Sequence, residues 1–325
     1  MSWFEVTNIA DVPSPSLLLY PDRVEENVRR MITMAGDLTR LRPHIKTHKM
    51  PELIRIQLRL GVTKFKCATI AEAEMTANCG ATDVLLGYQP TGPNAVRILQ
   101  LAQQFPKTQF AAVADDEGAL RALSDCFASS GAVLRLMLDV DCGMHRCGIE
   151  PGTNALKLYR LIASLPGLQP AGLHVYDGHI HDADPEARAA ACEKAFGPIF
   201  TFCDQLKATG LNVPAIVAGG TPTFPIHARR GGVECSPGTC VLWDFGYDDM
   251  LRDMKFLIAA LVLTRVISKP GNGRLCLDLG HKAVAAENPH PRVRFPELEI
   301  LHGGFKSSGA ARARRFSTGL RRVCC

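Results

Sequence analysis

No apolar run in the 325 residues approaches the roughly eighteen that a membrane-crossing helix needs, so no span is expected. The opening stretch, MSWFEVTNIADVPSP, has acids and no basic segment ahead of an apolar one, so it does not read as a secretory signal. None of the twelve cysteines forms a CxxC pair, and only Cys324 and Cys325 adjoin. That removes a zinc-ribbon signal, and the scatter suits reduced thiols better than a disulfide framework. A cytoplasmic protein is the expectation. No G-x-G-x-x-G follows the first extended run, which counts against a Rossmann domain. Residues 303–325 contain no acid but hold Lys306, Arg312, Arg314, Arg315, Arg321 and Arg322. Those six more than account for the net charge of +5, so the body is near neutral and offers no broad basic face to nucleic acid. What remains is ordinary for a globular protein, at 46% hydrophobic and 21% charged. The length allows one barrel and a smaller domain.

Short aliphatic runs at residues 17–20, 84–86, 110–113, 133–138, 172–175 and 215–218 alternate with helical patterns at 23–35, 51–60, 71–77, 94–104, 117–126, 153–164 and 185–209. In the last of these, Ala187, Ala191, Ala195, Ile199 and Phe202 make one stripe at helical spacing. Strand–helix units of this kind imply a parallel sheet with crossover helices. About eight units fit a closed (β/α)8 barrel, an α/β fold, better than an open sheet. The texture changes near residue 240. Residues 255–268 are nearly all apolar, Pro270-Gly271-Asn272-Gly273 is a strong turn, and 274–279 resumes the run. This predicts a hairpin opening a smaller β-rich domain, with a buried helix over 254–264 as the alternative. The expected division is a barrel over 13–240, a β-rich domain from 1–12 and 241–300, and a basic tail over 301–325.

The stretch Arg42-Pro43-His44-Ile45-Lys46-Thr47-His48-Lys49 carries the most chemistry. It puts Lys46 after a short extended segment, and strand ends are where a barrel presents reactive groups. Imidazoles and a second ammonium beside it, with partial desolvation, disfavour its protonated form. A lysine that loses its proton near neutral pH suits bonding to a carbonyl cofactor. A basic strand-to-helix loop explains the same eight residues. Val217-Ala218-Gly219-Gly220-Thr221-Pro222 and Glu234-Cys235-Ser236-Pro237-Gly238-Thr239 are two glycine turns. Backbone N–H groups in such turns cradle phosphate, and barrels often do so at their last two strands. Each alone is also an ordinary turn. Two more polar strand ends follow. One holds Asp139, Asp141 and Arg146, where the arginine meets a phenolate or carboxylate, or pairs with either aspartate. The other holds His174, Tyr176, His179 and His181. The His-x-His spacing suits a metal, yet without a nearby third ligand it reads as solvated loop histidines.

Together, R-P-H-x-K-T-H-K, G-M-x-R-x-G, G-G-T-P and S-P-G-T resemble the D-threonine aldolase and D-serine dehydratase family over about residues 13–296. These are fold-type III pyridoxal-phosphate enzymes that share their barrel with the N-terminal domain of alanine racemase. The resemblance implies that Lys46 bonds to the cofactor's aldehyde, with His44 beside it. It implies that Arg146 lies near the ring oxygen and that Tyr176, also catalytic, packs on the pyridine face. Gly220, Thr221, Gly238 and Thr239 would hold the phosphate. A small D-amino acid as substrate, a homodimer and a divalent metal, zinc or manganese, are further implications.

Two departures stand out. Ser236 occupies the place where alanine racemases carry an arginine against the pyridine nitrogen. Nothing after Pro296 matches the family's His-x-Cys or His-x-Asp metal pair, so no metal ligand is assigned. The basic tail reads as a truncation or changed reading frame near residue 300. The expected activity is cleavage or dehydration of a D-β-hydroxy-α-amino acid, weakened by the missing pair. The alternatives are a racemase, a non-catalytic cofactor-binding protein, and a metal-only hydrolase built on His44, His48, His179 and His181.

Overall fold

Helix and strand patterns alternate from residue 25 to 241 because each apolar stripe has a sheet to cover. In the computed structural model, which describes residues 3–271, 274–280, 283–284, 293–294, 298–301, 304–307 and 321–324, that stretch is one of two units. The other unit combines Met1–Val24 with Leu242–Cys325.

Strand β1 (Ser16–Leu19) belongs to the smaller unit. The larger unit holds β2 (Lys64–Cys67), β3 (Asp83–Leu86), β4 (Gln109–Ala114), β5 (Leu134–Val140), β6 (Leu168–Val175), β7 (Ile216–Ala218) and β8 (Val233–Cys235), ordered sequentially in one parallel sheet. Residues 41–44 close it. The Arg42 N–H donates to Cys235 O at 2.9 Å, the His44 N–H to Pro237 O at 2.9 Å, and the Lys66 N–H to Pro43 O at 2.9 Å. This segment is the eighth strand of the expected barrel, and isolated parallel bridges mark it. Pro43 has no N–H to give, so a regular ladder cannot form there.

Helices α1 (Pro21–Ala35), α2 (Pro51–Arg59), α3 (Ile70–Asn78), α4 (Pro93–Gln104), α5 (Glu117–Ala128), α6 (Thr153–Ser164) and α7 (Pro185–Ala208) match the periodic segments, and the short α8 (Phe224–Ala228) follows β7. Local chemistry starts several of them. Thr69, Asp116 and Asp184 each accept a backbone N–H of the first turn, and Pro51 and Pro93 open their helices. In α7 the buried face is Arg188, Cys192, Phe196, Ile199, Phe202, Cys203 and Leu206. The alanine stripe expected there is displaced by about one residue, because the aromatics at 196 and 202 make the larger apolar surface.

Alternation along the strands stacks three layers inside the barrel. The floor is ionic. Arg42 bonds Asp83 at 2.6 Å and Glu234 at 2.7 Å, Arg135 bonds Asp83 at 3.0 Å, and Lys64 pairs with Glu234. Burial opposes the Arg42 charge, but Asp83 and Glu234 outweigh it and its pKa is raised. The middle layer is apolar, from Leu85, Ala111, Val113, Met137, Ala171 and Val217. The upper layer is polar again, with Lys66, Asp139 and His174. At Gly172, φ is +115° and a Cβ would stand 1.9 Å from Ala215 O, so only glycine fits between β6 and the chain entering β7.

The smaller unit is antiparallel. It holds α9 (Phe245–Met250), and β9 (Ala260–Thr264) lies between β1 and β14 (Arg321–Cys324). Strands β10 (Val266–Gly271), β11 (Arg274–Leu277), β12 (Leu298–Leu301) and β13 (Gly304–Ser307) form a second sheet in the order β10-β11-β13-β12. The hairpin expected across residues 270–273 is present as Gly271 opposite Arg274, although Asn272 and Gly273 lie outside the described residues. Residues 260–264 are strand, which removes the helical alternative there. Residues 17–20, read with the barrel run, mostly lie in β1 and pair with β9 instead. The basic segment after 303 supplies β13 and β14, and the rest of it lies outside the described residues. Among the described residues no helix is long and apolar enough to cross a membrane.

Candidate active site

Lys46 sits two residues past the closing segment, inside a single 3-10 turn, Ile45–Thr47. The His44 ring starts that turn, with Nδ1 accepting from the Lys46 N–H at 3.3 Å. Burial, then the Lys66 and Lys46 charges, push the His44 pKa far down, so its ring is neutral. Lys46 is exposed at the barrel mouth. The surrounding walls desolvate its amine, and Arg146 adds like charge. Glu72 opposes both, but the net pKa shift is downward.

Tyr176, at the end of β6, is the hub. Lys46 Nζ lies 5.6 Å from its ring centre, Lys66 Nζ 5.5 Å and the Arg146 guanidinium 5.1 Å. The ring is wedged between glycines. A Cβ on Gly178 would stand 2.4 Å from it, and one on Gly220 3.4 Å. Burial raises the Tyr176 pKa, against the pull of Arg146. Neither Asp139 nor Asp141 takes Arg146 as its hydrogen-bonding partner among the described contacts. Asp139 accepts from His174, and Asp141 from the Gly143 N–H and from His145. A cavity of about 260 Å³ opens beside Arg146, Tyr176, His174 and Asp139.

The two glycine turns meet through one side chain. Thr221 is buried, and its Oγ1 accepts from the Gly238 N–H at 3.2 Å and the Thr239 N–H at 3.0 Å. Those N–H groups were expected to be free for an anion. Instead they converge on the threonine oxygen, which leaves its own proton as a donor. A Cβ on Gly238 would stand 3.1 Å from both His44 O and Thr47 Oγ1, so the second turn is held close to the Lys46 turn. Ser236 is buried and donates to Arg42 O at 3.0 Å. Its hydroxyl proton is spent on the barrel wall.

Several functional neighbours carry no local motif. Lys66 is buried on β2, 3.3 Å from His174 Nε2, and His174 Nδ1 lies 2.7 Å from Asp139. Burial, then the charge of Lys46, lower the Lys66 pKa to about 7. The sequence signal was the alternation Lys64-Phe65-Lys66-Cys67, which turns two lysines inward. Asp177, Cys192 and His227, all buried, bring one donor atom each within 4.8 Å of one another. This is the sole three-donor group of that kind among the described residues, and it includes none of His44, His48, His179 or His181. His48 is buried against Gln57, and His179 and His181 are exposed, so the metal-only hydrolase has no assembled site among the described residues.

These residues suit an anionic aromatic aldehyde. Two amines and a guanidinium surround one flat ring, with Gly220 against that ring and Gly238 against the Lys46 turn. The sequence matches the alanine racemase N-terminal domain over residues 20–242 and a serine dehydratase domain over 259–316. It is 31% identical to a D-threonine aldolase from Arthrobacter sp, over 97% of this chain and 86% of that protein. It is 30% identical to a 3-hydroxy-D-aspartate aldolase from Paracoccus denitrificans, over 87% and 76%. The crystal structure of D-threonine aldolase from Filomicrobium marinum superposes with a TM-score of 0.88 at 28% identity, covering 97% of this chain and 88% of that one. With the barrel domain and nearly the whole length accounted for, the chain belongs to the D-threonine aldolase and D-serine dehydratase-like family, lyases built on the alanine racemase N-terminal domain.

Proposed function

We propose that the chain is a pyridoxal-phosphate-dependent lyase that cleaves D-β-hydroxy-α-amino acids between Cα and Cβ, with Lys46 as the cofactor lysine. The observation that carries this is the convergence of Lys46 and Arg146 on the ring of Tyr176, beside the linked turns at Gly220-Thr221 and Gly238-Thr239. When bound, pyridoxal phosphate supplies an electron sink for negative charge at the substrate's Cα. The chain's own residues do the rest. Lys46 offers an amine of lowered pKa that bonds the cofactor and, once released, holds or moves a proton near Cα. Arg146 would hold the ring oxygen. Tyr176 supports the ring face, and His44 fixes the turn that aims Lys46. The Thr221 hydroxyl would receive the phosphate, at the point where it links the turns that contain Gly220 and Gly238-Thr239.

The 31% relative favours the aldolase outcome, glycine and an aldehyde, over dehydration. Two copies of the chain pairing as a homodimer belong to the same reading. A metal that polarises the substrate hydroxyl is worth several kcal/mol, which is roughly a hundredfold or more in rate. The sequence after Pro296 has no His-x-Cys or His-x-Asp pair to hold one, and part of that stretch lies outside the described residues.

Borohydride reduction of the protein loaded with cofactor, followed by peptide mapping, tests the assignment. A pyridoxyl label on Lys46, and its loss with the visible absorbance in a folded Lys46→Ala variant, is the expected result. A label on Lys49 or Lys66, or none, overturns it. Glycine released from D-threonine identifies the aldolase, and ammonia released from D-serine the dehydratase.

A further inference from the structure

The buried group at Asp177, Cys192 and His227 has the residue types of a metal site but not the surroundings of one. The Arg230 guanidinium donates to His227 Nδ1 at 2.9 Å and lies 3.5 Å from Cys192 Sγ. A cation there would share its ligands with a fixed positive charge. A metal on Nε2 would also require a proton on Nδ1, which already faces a donor. The thiol does not help, because burial and the Asp177 charge push its pKa up to about 12.

The hydrogen bonds read instead as two arms that converge on one carboxylate. With Nδ1 accepting from Arg230, the His227 proton sits on Nε2 and is donated to Asp177 Oδ2 at 2.8 Å. The other carboxylate oxygen, Oδ1, accepts from the Thr223 hydroxyl at 2.9 Å. The Thr223 oxygen in turn accepts the Gly220 N–H at 3.3 Å. Cys192 Sγ lies beside this network, 3.5 Å from Arg230 Nη1 and 3.9 Å from Asp177 Oδ2. One arm starts on the backbone of the first glycine turn, and the carboxylate on which both meet lies one residue after Tyr176. Gly219 seals the arrangement from the same side. Its φ is +77°, and a Cβ there would stand 2.6 Å from the His227 ring and 2.9 Å from Thr223 Oγ1.

We infer that Asp177, His227 and Thr223 are positioning residues that lock the Gly219-Gly220-Thr221 turn and the Tyr176 strand end into the shape that receives the cofactor's phosphate. This rests on the cofactor reading above. One buried carboxylate ties the ends of β6 and β7 together, so ring support and phosphate turn are set by the same atom pair. None of the three residues needs to touch the cofactor. The network's effect is specific to the phosphate because its last member is the Gly220 N–H, not Lys46.

The test compares pyridoxal phosphate with pyridoxal, which has the same aldehyde and no phosphate, by titration of the visible absorbance. The full chain is used with Thr223→Val, Thr223→Ser and Asp177→Asn. Thr223→Val is expected to weaken pyridoxal phosphate by about tenfold or more, the loss of one buried hydrogen bond. Pyridoxal should change by less than about threefold, and Thr223→Ser should restore wild-type behaviour. Asp177→Asn, which disturbs two bonds, should discriminate more strongly still. Equal losses for both aldehydes, or none, in variants that remain folded overturn the inference while leaving Lys46 chemistry intact. A wild type that develops no visible band with either aldehyde overturns the cofactor reading and the inference with it. Stoichiometric zinc in the purified protein that disappears in Cys192→Ser would replace the network with a metal site.

Discussion

Replacing Arg42 with methionine tests whether the ionic floor holds the segment that carries Lys46. Arg42 is 4% exposed and bonds two carboxylates, Asp83 at 2.6 Å and Glu234 at 2.7 Å. Its N–H and carbonyl also close the barrel, against Cys235 O and the Ser236 hydroxyl. Methionine keeps the bulk and removes the charge. Breaking a buried ion pair costs about 3–5 kcal/mol when it strands a charge. Here Asp83 retains Arg135 and Glu234 retains Lys64, so the lower end, about 3 kcal/mol, applies. For a unit of this size that lowers the unfolding temperature by roughly 6–12 °C. The pH dependence gives a second reading. Burial works to raise the Asp83 pKa, but Arg42 and Arg135 outweigh it and hold it below the ordinary value. A depressed carboxyl stabilises the fold above its unfolded pKa and loses that contribution as pH falls through the folded one. Without Arg42 the folded pKa rises towards the unfolded one, so the acid-linked loss is smaller and is complete at a higher pH. Thermal unfolding followed by near-ultraviolet circular dichroism measures both. The control is Arg121→Ala, which breaks an exposed helical pair with Glu117 and should change little. If Arg42→Met falls no further than that control, the floor does not hold the barrel closed.

Two further predictions concern the amines of the upper layer. Arg146→Met removes like charge beside Lys46, so the Lys46 pKa rises and the pH profile for capture of pyridoxal phosphate moves upward; an unmoved midpoint in stopped-flow absorbance would separate the two groups. Lys66, with a folded pKa of about 7, binds fewer protons than the unfolded chain between that pH and the ordinary lysine value. Its penalty is therefore full below about pH 7 and fades as pH rises, so the thermal gain of Lys66→Met over wild type should shrink between about pH 7 and 9. A gain that stays constant across that range would show that Lys66 does not titrate there.

Periodic elements were the legible part of the fold. Residues 153–164 and 185–208 are helices as expected, although the buried stripe of the second departs from the alanines read for it. The strands that escaped notice, β2 and β8, are those whose inward positions carry Lys64, Lys66 and Glu234. Charge there breaks the apolar alternation that betrays a strand, because its purpose is the floor and the upper layer rather than the core. The closing segment is hidden for a different reason, since Pro43 interrupts the ladder that would define it. The site divides in the same way. Lys46, Arg146, Tyr176 and the glycine turns lie in short motifs with a chemical reason for each residue type. The Asp177, Thr223, His227 and Arg230 network is drawn from positions separated by up to 53 residues, and its members meet only when β6, β7 and α8 are in place. Its single local trace is that Thr223 and His227 fall on either side of the start of α8.

The barrel mouth contains two amines at nearly the same distance from the Tyr176 ring, and physical chemistry chooses between them. Distance does not, at 5.6 Å for Lys46 and 5.5 Å for Lys66. Both have lowered pKa values, so basicity does not either. Access and hydrogen bonding do. Lys66 is 3% exposed and lies against His174, whose other nitrogen is held by Asp139. To bond a carbonyl it would have to leave that chain and strand a buried imidazole, at a cost of roughly 1–3 kcal/mol. Among the described residues Lys46 has no such tie. It stands exposed on a one-turn helix whose backbone is pinned by the His44 ring behind it and by the His48 N–H bond to Ile45 O ahead of it. Its backbone is fixed and its amine is exposed, which is the combination a covalent cofactor link requires. The apolar middle layer then separates this amine from the ionic floor, so the field it meets comes from Arg146, Glu72 and Lys66 around the mouth rather than from Asp83 and Glu234 below.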